Sequence, residues 1–313
     1  MTVPPMEDPR TSGQEPRILS AEVVVRELLG QEVGNILKFD PIARLGYDPE
    51  GVHQLRVRSR RLRSELQIVA PVIRSKSLKE FTSELGWIGT ILGRLRDLDV
   101  LRQLLLSLSN EASVGLMHSV LTELDHDRQR ERRHVVDALV SRRYHRLITS
   151  LASAVLNPPF RTVAAQSAGD VFMPGLRDAW ALLFRTMDEF GPSPTNEELH
   201  HIRILAKKNR YGTEIARSFI GHDADEIAVA FASAQSVLGT LHDHVVATDF
   251  LIKGQSRQEE DSDWTASNTV VTVIKDQLTE SIEQCRLSWR EPLEHARGLI
   301  ATATSGANTI PLH

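Results

Sequence analysis

The sequence predicts an all-α protein built as two four-helix units from an internal duplication, related by a pseudo-two-fold axis. Three observations lead there. Apolar residues recur at helical spacing along most of the chain, while strand-like alternation bounded by turn signals is scarce. Aromatic residues make up only 5% of the 313 residues, which favours a core of Leu, Ile, Val and Ala in helices. Two sequence patterns of the first half return in the second, in the same order and at almost the same offset.

The elements follow in order. Residues 1–17 hold four prolines and few apolar side chains, and are expected to form a disordered arm. Ile18–Leu37 has helical spacing. Asp48-Pro49-Glu50 starts a second helix, because Asp caps, Pro fits the first turn and Glu suits the positive helix end. It runs to about Val69, where Pro71 helps to end it. A third helix spans about Leu78 to Ser107, and a fourth, rich in Arg and His, about Val114 to Leu156. Asn157-Pro158-Pro159 stops the fourth, and 157–175 reads as a linker. Leu176–Phe190 resumes the pattern until Gly191-Pro192-Ser193-Pro194 breaks it. Helices are expected at 196–220, 223–252 and 269–302, with a mobile polar loop over Gly254–Asp263. The domain thus covers 18–303, as repeat one (18–156), linker (157–175) and repeat two (176–303), with a tail at 304–313.

Composition narrows the functional classes. With 41% hydrophobic and 25% charged residues, the chain has the composition of a globular protein. Cys285 is the only cysteine, which excludes a disulfide scaffold and a four-cysteine zinc finger. No apolar run approaches the roughly 20 residues that span a bilayer, and MTVPPMEDPR lacks the features of a secretory signal. The expectation is a cytoplasmic protein without membrane contact. Net charge is 37 − 41 = −4, which argues against whole-surface attraction to a polyanion but leaves room for a local basic patch.

The repeat locates that patch. VHQLRVRSRRLRSELQI (52–68) aligns with LHHIRILAKKNRYGTEI (199–215), placing His53, Arg56, Arg60, Arg61 and Arg63 on His200, Arg203, Lys207, Lys208 and Arg210 at an offset of 147. LGRLRDLDV (92–100) aligns with LGTLHDHVV (238–246) at 146. At 100° per residue, His53, Arg56, Arg60 and Arg63 fall within an arc of about 80°. Leu55, Leu62, Leu66 and Val69 form a separate stripe for the core. His200, Arg203, Lys207 and Arg210 repeat the arc, with Tyr211 close to it. A solvated Arg-rich face is the common alternative, but such faces interleave acids at i+4. Here no acid occurs between His53 and Ser64, or between His200 and Asn209. Repulsion left uncompensated in both halves points to an anionic ligand, and arginine forks suit phosphate oxygens. Arg94 and Arg96 extend the cationic set, and His242 aligns with Arg96. Asp97 and Asp243 read as acids that orient cations, and Gly93 and Gly239 as sites of close helix packing. The histidines, set among cations, are poor metal ligands, so no metal and no cofactor is expected.

The motifs DPEGVHQLRVRSRRLRS, LGRLRDLDVL, SRRYHRL, ELHHIRILAKKNRYGTE and SVLGTLHDHVV resemble the CHAD family, the conserved-histidine α-helical domain, in family order over roughly residues 18–303. The resemblance implies an all-helical pair of four-helix units, and binding of inorganic polyphosphate through a basic surface. By that resemblance His53, Arg56, Arg60, Arg61, Arg63, His200, Arg203, Lys207, Lys208 and Arg210 are ligand contacts, and Tyr211 matches the family's aromatic. Asn209 stands where the family usually has an apolar or basic residue, and Thr240 faces Arg94 in the repeat, so the second half is the less basic. Some members carry a fused triphosphate-tunnel domain marked by a Glu-x-Glu-x-Lys strand, which has no counterpart here. The leading reading is a non-catalytic polyphosphate-binding module, with polyphosphate granules as a candidate location. A nucleic-acid binder using the same ridge is the alternative, disfavoured because no stacking aromatics interleave the arginines. An enzyme acting on phosphoanhydride bonds ranks third, because neither a Walker loop nor an acidic cluster accompanies the ridge.

Overall fold

The computed structural model describes residues 19–45, 49–109, 118–257 and 264–306. The expected N-terminal arm, the Asp48 cap and most of the C-terminal tail and of the loop after Gly254 lie outside them. The described residues form α1 (Ala21–Leu45), α2 (Pro49–Ile68), α3 (Ser75–Ser107), α4 (His118–Leu139), α5 (Arg142–Leu156), α6 (Ala168–Phe190), α7 (Asn196–Ile220), α8 (Asp223–Arg257), α9 (Trp264–Ser288) and α10 (Arg290–Gly306). Short 3-10 turns at Ala70–Val72 and Thr162–Ala165 complete them. Two isolated bridges, Ser20 with Ser167 and Ile73 with Phe160, are the β pairing among these residues. No described helix is long and apolar enough to cross a membrane.

Local chemistry sets several ends. Thr195 caps α7 by accepting from the Glu198 amide at 3.2 Å, while the Glu198 carboxylate accepts from the Thr195 amide at 2.7 Å. Gly191 and Gly221, at φ 71° and 85°, end α6 and α7 in a backbone conformation that side chains with a Cβ rarely adopt. Where one long helix is expected over 114–156, the chain turns at Val140–Ser141, because the Ser141 hydroxyl accepts from the Tyr144 amide and caps a new helix. The segment 269–302 also breaks, at Trp289, which is seated in the core at 2% exposure. Among the described residues each half therefore holds five helices where four are expected.

Two further boundaries differ from expectation. Helix α1 continues through Pro41 to Leu45, and Ala43 at its end is fully buried. Proline removes one hydrogen bond, and packing of the last turns against α2 offsets that loss. The segment 157–175 is only partly a connector, since α6 already starts at Ala168 and passes through Pro174. Its first turns carry Ala168 and Phe172 into the core of the first half. Its later turns carry Leu176, Trp180, Leu183 and Met187 into the core of the second. One helix thus ties the two cores together. A third cluster joins the far ends of α3, α4, α8 and α9, through residues such as Leu101, Leu105, Leu251 and Leu278.

Across the boundary like meets like: α1 packs on α6, α2 on α7 and α3 on α8. The stripe Leu55, Leu62 and Leu66 of α2, with Val69 just beyond its end, is fully buried, which fixes the rotation of that helix and turns its cationic arc towards α3 and α7. Leu62→Ala should therefore cost about 2–5 kcal/mol, as cavity-forming changes in full cores do. Urea unfolding followed by circular dichroism would measure it, and a loss below 1 kcal/mol would show that the stripe is not what holds α2 in place.

Candidate anion site between the basic helices

The packing of α2 on α7 brings the two cationic arcs together. Arg56 lies within electrostatic reach of Arg60, Arg96 and Arg203, and Lys207 within reach of Arg56, Arg60, Arg203 and Arg210. His200 stands beside His242, with ring centroids 4.8 Å apart. One acid enters the crowd at contact distance: the Arg56 guanidinium donates to Asp97 at 2.8 Å.

Electrostatics record the crowding. Burial, reinforced by Arg60, Arg203, Arg56 and Arg210, pushes the Lys207 ammonium down to about 7 from its usual 10.5. Burial lowers Arg56 and Arg203 as well, against the pull of Asp97 on the first and Asp243 on the second. His53, His200 and His242 all move down, first through burial and then through neighbouring arginines. In the free protein these histidines are therefore held towards the neutral form, and an arriving anion would draw protons back onto them.

Hydrogen bonding carries the same message. Among the described residues, His53 Nδ1, Arg56 Nε, His200 Nδ1 and Arg203 Nε are buried atoms without a hydrogen-bond partner in the protein. They are two pairs, each related by the offset of 147. Buried polar atoms are normally satisfied, and here the same two groups are left open in both halves, on one surface.

The expected residues divide into those the structure gathers and those it does not. His53, Arg56, Arg60, Arg96, His200, Arg203, Lys207 and His242 lie in the shared patch. Arg63 is exposed at its edge, over Gly86. Arg61 turns the other way. It reaches Glu65 at 2.7 Å, Glu214 at 2.9 Å and Glu32 at 3.3 Å, so three carboxylates hold it away from the patch. Arg210 likewise reaches Glu214 at 2.8 Å, although its charge is still felt at Lys207. Lys208 is exposed on a strip with His201 and Ile204, and Arg94 lines a cleft that shares Asp97 with the patch and is otherwise walled by Asp127, Arg130 and Lys253. Tyr211 is buried at 4%, its ring centroid 5.2 Å from the Arg61 guanidinium and 5.7 Å from Lys207 Nζ. It divides patch from carboxylates and presents no face for stacking. Asn209 is buried too, its amide donating to the Leu205 and Ala179 carbonyls. His244, unforeseen in the sequence, is a further half-buried histidine with an unpartnered Nδ1, on α8 and near Asp243. By the repeat offset of 146 it aligns with Leu98, so the alignment carries no sign of it.

With this geometry in view, comparison with known proteins is direct. The sequence model of the CHAD domain matches residues 27–252. The chain belongs to the CHAD family. The domain from the plant Ricinus communis superimposes with a TM-score of 0.69 at 23% identity, covering 89% of this chain and 95% of that one. PptA from Streptomyces chartreusis gives 0.71 at 17% identity, covering 88% of this chain and all of PptA. At such identities these two matches establish the fold alone. An uncharacterized Mycobacterium tuberculosis protein, MT2285 in strain CDC 1551 and Rv2226 in strain H37Rv, is 30% identical over 238 residues. That alignment takes in 73% of this chain, which spans 45% of the relative's length.

Lys207 gives this CHAD domain a testable pH dependence. Its folded pKa lies below its unfolded one, so between pH 7 and 10.5 the unfolded chain holds the extra proton and stability rises with pH. The penalty of the buried charge is fully present below pH 7. Lys207→Gln should therefore stabilise the protein most at pH 6 and progressively less towards pH 10. Urea unfolding of both proteins at pH 6, 8 and 9.5 would show it. An equal gain at every pH would mean that the ammonium keeps its ordinary pKa.

Proposed function

We propose that the protein is a non-catalytic binding module for inorganic polyphosphate, held in the patch between α2 and α7. The observation that carries this reading is the paired set of open donors. Arg56 Nε and Arg203 Nε occupy equivalent places, buried and unpartnered, within a field of like charge that Asp97 and Asp243 answer only in part. The crowding of Arg56, Arg60, Arg203 and Lys207 suits a ligand with dense charge along a line. In polyphosphate neighbouring phosphorus atoms share one oxygen, whereas in nucleic acid a sugar separates them. The burial of Tyr211 also counts against a single-strand binder, which would need an exposed stacking ring. Family membership supports the polyphosphate reading, and polyphosphate granules are its natural location.

Titration with long-chain polyphosphate should give an affinity that falls at least ~10-fold between low and physiological salt, because several phosphates release their counterions. Single-stranded RNA of equal charge should compete poorly, and if it displaced polyphosphate readily the ligand class would be wrong. The double variant Arg60→Glu, Arg63→Glu should weaken binding more than ~10-fold at low salt, since reversal adds repulsion to the lost contacts. Arg56 is left in place in that variant because its partner is Asp97. Circular dichroism would confirm the fold, and undiminished binding by the folded variant would remove the site.

A further inference from the structure

Helix α3 carries Gly86, Gly89 and Gly93, and helix α8 carries Gly239. Glycine in a helix interior is unfavourable relative to alanine, so four such positions facing one patch need a reason. Each has an arginine lying across it. A Cβ at Gly86 would stand 3.1 Å from the central carbon of the Arg63 guanidinium. At Gly89 it would stand 3.7 Å from Cγ of Arg60, at Gly93 3.6 Å from Nε of Arg56, and at Gly239 3.9 Å from Nε of Arg203. Arginines three and four residues apart on α2 are thus laid over glycines three and four residues apart on α3.

We propose that these glycines are positioning residues for the anion site: by leaving the helix surface bare, they let the guanidinium groups lie against it in fixed places. The inference rests on the polyphosphate reading of the patch and deepens it. An exposed arginine samples many rotamers, and ordering it on binding costs free energy. An arginine already bedded on a neighbouring helix loses less. The bed also fixes the spacing of the charges. The rise of 1.5 Å per residue sets successive beds on α3 about 4.5 and 6 Å apart along the axis. The unpartnered Arg56 Nε and Arg203 Nε are those nearest Gly93 and Gly239, so two of the four bedded arginines also carry an open donor.

The distances predict a size dependence that a packing role would not produce. Alanine at Gly93 and Gly239 makes ordinary contact, so Gly93→Ala, Gly239→Ala should bind within about twofold of the parent and melt no lower. Leucine extends into the space of the guanidinium groups. Gly93→Leu, Gly239→Leu, with the same net charge, should bind long-chain polyphosphate at least ~10-fold more weakly at physiological salt. Gly86→Ala meets only the flexible tip of Arg63. It should therefore keep or raise the melting temperature while weakening binding ~3-fold or more, and it decides the matter if the leucine variant does not fold. Fluorescence anisotropy with labelled polyphosphate would read affinity, and thermal melting would read stability. Folded leucine and Gly86→Ala variants that bound as well as a binding parent would overturn the glycine assignment alone. A parent that failed to bind would overturn the polyphosphate reading beneath it.

Discussion

The constraint on which this architecture turns is the cost of holding like charges together. Arg56, Arg60, Arg203 and Lys207 come from two helices that pack on each other, in surroundings dry enough to lower the Lys207 ammonium to about 7. No local interaction favours that. Apolar burial on either side enforces it: the leucine stripe of α2 fixes one helix, and Leu199, Ile202 and Ala206 fix the other. Helix α6, with its first turns in one core and its later turns in the second, keeps the two from separating. The cations meet because the cores leave them nowhere else to go.

Much of this was legible in the sequence, since the governing pattern is local. A stripe of Leu55, Leu62 and Leu66 with an arc of cations beside it needs only the helical period to be read. The repeat joined the two arcs in sequence before the structure joined them in space. What escaped reading depends on partners distant in the chain. The cations Arg61 and Arg210 look equivalent to Arg60 and Lys207 along their helices. Yet Glu32 from α1 and Glu214 from α7 claim Arg61, and Glu214 claims Arg210. The absence of acids between His53 and Ser64 held for one helix and failed for the assembly. The segment 157–175 read as a linker for a related reason. Asn157-Pro158-Pro159 signals a break, and only tertiary burial of Ala168 and Phe172 shows why a helix already starts at Ala168 and forms through Pro174. The glycines of α3 were half visible: Gly93 read as a site of close packing, but the chain alone does not say that its neighbour is an arginine.

Availability of acids therefore sorts the basic residues of α2 and α7 into two sets. On one side of Tyr211, Arg61 and Arg210 are spent in ion pairs, and buried Glu65 is pushed up to about 7, chiefly by desolvation. On the other, Asp97 touches Arg56 from an exposed position and leaves most of the field unanswered. The same residue type is thus structural on one face and open on the other, and the ring of Tyr211, close to Arg61, Lys207 and Arg210, marks the division.

This sorting also accounts for a net charge of −4 on a protein proposed to hold a polyanion. A uniformly basic surface would attract any polyanion everywhere and hold it nowhere in particular. Here acids outnumber basic residues over the whole chain, so the average field repels a polyanion, while a cluster of cations beside low-dielectric walls focuses the potential locally. On the proposed reading, long-range repulsion with short-range attraction would slow casual encounters and favour binding where Arg56, Arg60, Arg203 and Lys207 crowd together. The excess of acid outside the patch, and the scarcity of acid within it, are two parts of a single arrangement.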